Sequence, residues 1–149
     1  MASGAKKVFV TKLTETFTDD REGVGVVRWE GNKCYKWVQY NSGVGSVAAV
    51  AGNVAYLQST GKVTSDLSDS LSIGAGVLQS APASDSYCWV QIKGPATLTT
   101  ALTAGANGNA LTPVGATDGT LDVSALVTDP VCAYVENAAG KGILCDFPY

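Results

Sequence analysis

A chain of 149 residues fits one domain, or one domain plus an ordered arm, and can bury roughly 68–70% of its unfolded surface without staples. Only 15% of its residues are charged, against about 25% in a typical soluble domain, and 17 are glycine, so strands and tight turns are favoured over helices. A net charge of −3 argues against nucleic-acid binding, which needs a basic face, and no apolar run approaches the ~20 residues of a membrane span.

Residues 1–22 read as an arm, with a short strand at 8–10 and a polar stretch ending in the turn signal Asp19-Asp20-Arg21-Glu22-Gly23. Such an arm is either loose or pinned to a neighbour. Residues 23–149 read as one β domain. It opens with the clearest hairpin in the chain, strands at 24–29 and 34–40 around the turn formers Glu30-Gly31-Asn32-Lys33. The second strand alternates, with Cys34, Lys36, Val38 and Tyr40 on one face and Tyr35, Trp37 and Gln39 on the other. Neither face is cleanly apolar, which suits a strand contacted on both sides or an aromatic face awaiting a partner.

Short apolar strands follow at 47–50 and 54–57. Residues 61–72 read as a loop with a turn of helix after Ser65. The strand at 73–79 is interrupted by Gly74 and Gly76, which mark a bulge or a close backbone approach. Residues 87–93 form the best single strand, with Cys88, Val90 and Ile92 on one face and Tyr87, Trp89, Gln91 and Lys93 on the other. Gly94-Pro95 is expected to end it, and a further strand is expected at 96–102. Short strands at 110–113, 121–123, 131–135 and 143–147 close the chain. About ten short strands at this spacing make an all-β domain, a single β-barrel or β-sandwich with an extended N-terminal arm.

The charge is uneven. Residues 1–41 hold seven of the ten Lys/Arg and five Asp/Glu, whereas residues 42–149 hold three and eight. This is either a solvated face or a mildly basic part that touches an acidic partner.

The chemistry is narrow. Without histidine, the usual serine and cysteine triads have no base. Lys62, Lys93 and Lys141 sit in no Ser-Lys motif. Asp19, Asp20 and Glu22, and likewise Asp66 and Asp69, read as solvated turns or helix caps rather than a glycosidase pair or calcium loop. Gly74-x-Gly76 lacks the setting of a dinucleotide site. Cys34, Cys88, Cys132 and Cys145 are too widely spaced for a zinc site and read as free thiols packed in strands. No metal or other cofactor is expected, and the chain reads as non-enzymatic.

The aromatic residues are the candidate binding groups. Trp29, Tyr35, Trp37 and Tyr40 crowd the hairpin, Tyr87 and Trp89 sit on the best strand, and Phe9 lies in the arm. They are core, or a subunit contact, since Trp and Tyr are enriched at interface hot spots, or a sugar-stacking platform.

Two stretches carry a resemblance. Val24-Gly25-Val26-Val27-Arg28-Trp29-Glu30-Gly31-Asn32-Lys33, continuing to Tyr35-Lys36-Trp37-Val38, resembles a hairpin near the N-terminus of small phage head proteins. Tyr87-Cys88-Trp89-Val90-Gln91-Ile92-Lys93-Gly94 is similar to a strand of phage head-decoration proteins, with Cys88 where that pattern has glycine. Residues 131–147 fit their closing hairpin. The resemblance, covering about half of the chain, is to the decoration (cement, head-stabilising) proteins of tailed bacteriophages.

It implies a β-barrel or sandwich on the outer capsid surface of the virion, assembled in the host cytoplasm. The implied partners are the major capsid protein and further copies of the chain, as a homotrimer or a dimer. Such a protein bridges neighbouring capsid subunits, with the arm as a strap, by many weak contacts engaged multivalently. The absence of a hydrophobic stretch after Met1 to Lys7 agrees with a chain made and kept in a cytosol. The alternative is a phage fibre, head-spike or carbohydrate-binding β-module that stacks sugars on Trp29, Trp37 or Trp89.

Overall fold

The computed structural model describes residues 8–149, and its regular structure is all-β apart from one 3-10 turn at Leu67–Asp69. The ten strands are β1 (Val27–Glu30), β2 (Lys33–Gln39), β3 (Val54–Leu57), β4 (Val63–Thr64), β5 (Gly74–Leu78), β6 (Tyr87–Thr97), β7 (Ala110–Thr112), β8 (Asp122–Val123), β9 (Ala133–Asn137) and β10 (Gly142–Asp146). They form one curled antiparallel sheet, a half-barrel, in the order β4-β3-β5-β6-β10-β9-β7-β8, with β2 on β6 and β1 on β2. The β4 end curls back towards β2. Tyr40, just past β2, makes a parallel bridge to Val63, and the Asn41 N–H donates to the Val63 carbonyl at 2.8 Å.

β6 is the hub, pairing with β2, β5 and β10 along its 11 residues. It does not end at Gly94-Pro95, and no separate strand forms at 96–102. Gly94 adopts φ +92°, so the strand turns instead of stopping. A Cβ there would stand 2.4 Å from the Asn32 carbonyl oxygen. The Gln91 side-chain amide braces the bend, donating to the carbonyls of Lys93 (3.1 Å) and Pro95 (2.9 Å). Pro95 then pairs with Leu144 of β10.

The two faces of β2 and β6 bury different things. Cys34, Val38, Cys88, Val90 and Ile92 enter the principal core with Tyr40, Val54, Tyr56, Leu111, Ile143 and Phe147. Tyr35, Trp37 and Trp89 form a second cluster on the opposite face, packed by Phe9, Leu13, Phe17, Val26 and Tyr87. Gly74 and Gly76 mark close approaches, as their position in a strand implies. A Cβ on Gly74 would stand 2.7 Å from the Phe147 ring, and one on Gly76 would stand 2.8 Å from Val90.

Two short predicted strands are absent. Residues 8–10 and 47–50 are irregular. Their backbone donors go to side chains and turns instead of a ladder. Glu22 accepts the Val10 N–H, and the Val47 N–H donates to the Ser42 carbonyl. The 61–72 stretch carries the expected helical turn, capped by Asp66, and the two-residue β4, too short to show a pattern.

Candidate interaction surfaces

Trp37 and Trp89 are register partners across β2 and β6, with ring centroids 5.2 Å apart. Tyr87 stacks on Trp37, and Phe9 meets Trp89 edge-on at 5.5 Å. A buried indole N–H needs an acceptor, and the N-terminal segment supplies both. Trp89 Nε1 donates to Thr11 Oγ1 and Trp37 Nε1 to Asp20 Oδ1, each at 2.8 Å. Thr11 passes the contact on. Its N–H (2.9 Å) and hydroxyl (2.8 Å) donate to Glu22 Oε1, which also accepts the Val10 N–H at 2.9 Å. The Arg28 guanidinium lies over Phe9 and Trp89 and donates to the Thr11 carbonyl at 2.8 Å. Burial pushes the Asp20 carboxyl up, but the N–H groups of Gly23 and Val24 and the Trp37 indole outweigh it and hold it below the usual carboxylate range.

The arm from Val8 to Glu22 therefore lies on its own chain and completes an aromatic layer. Of the seven candidate contact residues, Tyr35, Trp37, Tyr40 and Trp89 are buried within the chain and present no surface to a partner. They are core, because the arm covers three of them and the principal core encloses Tyr40. Phe9 and Tyr87 are half-buried in the same layer. Trp29 stands apart, 57% exposed on the edge strand β1.

Among the described residues, nothing of this kind covers the outer face of the other half of the sheet. The register aligns Ala110 of β7 with Tyr134 of β9, Tyr134 with Leu144 of β10, and Leu144 with Pro95 of β6. Residues paired in this way lie on one face with neighbouring side chains. Tyr134 and Leu144 are both exposed, so an apolar row crosses four strands. One step along, the Lys93–Asp146 ion pair (2.7 Å) bounds it, and Glu136 lies two residues beyond Tyr134. Sequence reading missed these residues because it weighted tryptophan. The signal was present in residues 143–145, where Ile143 and Cys145 point inward and Leu144 must point out.

The acidic clusters serve as caps. Asp66 accepts from the Gly45 N–H and from the Ser68 N–H and hydroxyl, and the Ser68 hydroxyl above all holds its carboxyl below the usual range. Asp69 accepts from Val44 N–H and Gln58 Nε2. Among the described residues, no three His, Cys, Asp or Glu side chains gather as metal ligands.

All four cysteines are free and buried. Burial pushes the thiols of Cys88 and Cys145 up to about 12 and raises those of Cys34 and Cys132. The thiolate is the nucleophile, so the folded protein is expected to resist alkylation by iodoacetamide at pH 8. All four residues should react once urea unfolds it. Rapid labelling of the folded chain, read by intact mass, would contradict this placement.

No family model, characterised protein or solved structure matches this chain.

Proposed function

We propose that the chain is a non-enzymatic structural protein of a tailed-phage head. In this reading it binds the outer capsid surface and bridges neighbouring major capsid subunits. The observation that carries the reading is the exposed apolar row through Tyr134, Leu144 and Pro95, with a polar rim, on the β6–β10–β9–β7 half of the sheet. An apolar centre with a charged edge is the usual anatomy of a protein contact. The hairpin and strand resemblances supply the partner class, and the low charge agrees with a surface covered in the assembly. The strap role moves from residues 8–22, which the protein uses to cover its own aromatic layer, to the sheet face.

Co-sedimentation with capsid shells, before and after expansion, tests this. Saturable binding to expanded shells at a fixed ratio to the major subunit is expected. Leu144→Asp and Tyr134→Asp, at exposed positions, should weaken it at least about tenfold while leaving the circular dichroism melt unchanged. Absence of binding to either shell form would remove the reading. A second reading, glycan binding, rests on Trp29, the one of the three tryptophans that is exposed, and a glycan array decides it.

A further inference from the structure

Where the β4 end of the sheet curls back towards β2, the strands leave a slot of about 170 Å³ between them. Val24, Val38, Leu57, Ala75 and Tyr149 give it an apolar wall, and Val24 and Tyr149 keep its rim exposed. Among the described residues that line it, Lys36 is the one charged side chain. The mouths of curled and closed sheets are common places for small-molecule sites, but a typical drug-sized ligand needs several hundred Å³. At roughly 30 Å³ for a water- or methylene-sized group, this slot has room for a tail of about five or six.

Lys36 breaks the pattern of its strand. It falls on the core-facing side of β2, between buried Cys34 and Val38. Across the sheet its register partners are Val27 of β1 and Val90 of β6. All four neighbours belong to the principal core or pack against it. An aliphatic side chain is the usual occupant of such a position. Lys36 is half-buried there and brings an ammonium to the slot instead. Arg21, Arg28, Lys62 and Lys93 each pair with a carboxylate, whereas Lys36 has no ion-pair partner among the described residues. A cation held against apolar surface without a counter-charge favours an anion carried in by a ligand.

We propose that the slot binds a small aliphatic carboxylate, with its tail against Val24, Val38 and Leu57 and its head on the Lys36 ammonium. The volume sets the length of the tail, and Lys36 sets the sign of the head. An aliphatic amine of the same length has the wrong head, and acetate has too little tail. The exposed row at Tyr134 and Leu144 lines no part of the slot, so this inference and capsid binding fail separately.

Titration of the isotope-labelled full chain with hexanoate, followed by amide NMR, is the test. The signals of Val24, Lys36 and Ala75 should move together and saturate. Affinity should rise about threefold to fourfold per methylene from butanoate to hexanoate, the usual gain for burying a methylene, and level off by octanoate, whose tail outgrows the slot. Hexylammonium should bind at least about tenfold more weakly than hexanoate. Lys36→Met keeps an apolar stem and removes the charge, so it should weaken hexanoate at least about tenfold without lowering the thermal melt. Ala75→Leu, which fills the slot from β5, should abolish the shifts. Shifts that fail to saturate or that map away from the slot would overturn the proposal. So would an affinity indifferent to Lys36→Met, or one that keeps climbing with chain length.

Discussion

Trp37→Ala is expected to lower the unfolding free energy by about 3–5 kcal/mol, the usual cost of emptying a large buried aromatic site. Trp37 has no exposed surface, stacks on Tyr87, meets Trp89 at 5.2 Å and donates its indole N–H to Asp20. The truncation leaves a cavity, removes the ring contacts with Phe17, Tyr87 and Trp89 and strips Asp20 of one of the donors that hold its charge. Single domains are stable by only about 5–15 kcal/mol, so roughly a fifth or more of the total is at stake. Trp29→Ala is the matched control. At 57% exposure, with no ring contact among the described residues, it should stay within about 0.5 kcal/mol of the wild type. Urea unfolding followed by far-ultraviolet circular dichroism measures both. A Trp37→Ala protein of nearly full stability that no longer binds shells would move Trp37 from the core to a partner surface.

The second large effect belongs to Thr11 and Glu22. Thr11→Val keeps the shape but leaves the Trp89 indole without its acceptor and removes one donor from Glu22. Glu22→Ala removes the common acceptor of three donors, one of them the buried Thr11 N–H. Each change should cost about 2–4 kcal/mol, because unsatisfied buried groups forfeit their solvation, more so when a charged partner is lost. The double variant should cost less than the sum, by roughly 0.5–3 kcal/mol, since both residues serve one network. Limited proteolysis should cut both single variants within residues 8–22 well before the wild type. If each change costs under about 0.5 kcal/mol and the arm stays protected, the aromatic layer holds without it.

Most of the sheet was legible because period-two alternation survives in the long strands. The division of residues 34–40 and 87–93 between two faces follows from alternation, but alternation left open whether the aromatic face of the first was covered or awaited a partner, and it did not show that Trp89 and Gln91 on the outer face of the second are buried. What covers the aromatic side was hidden, because it depends on three polar residues, Thr11, Asp20 and Glu22, with no periodic signal. Their turn chemistry was visible, whereas their long-range partners at Trp37 and Trp89 were not. Gly94-Pro95 misled because both residues usually stop strands. Here a left-handed glycine and the Gln91 amide, three residues earlier, convert the stop into a bend. For the candidate surface the hairpin aromatics drew attention inward, to residues whose size belongs to packing. The exposed row came from ordinary residues that only register brings together.

The hub position of β6 also sets an order of events during synthesis. β2 finds its long partner only when residues 87–93 exist, β5 pairs with that same stretch, and β10 needs residues 93–97. At about 5–20 residues per second, the gap between completing β2 and completing β6 lasts on the order of seconds. Throughout it the nascent hairpin carries Tyr35 and Trp37 with only the preceding arm for cover. An arm that leaves the ribosome before the hairpin it shields is well timed to suppress association of neighbouring nascent chains, whatever the finished molecule later binds.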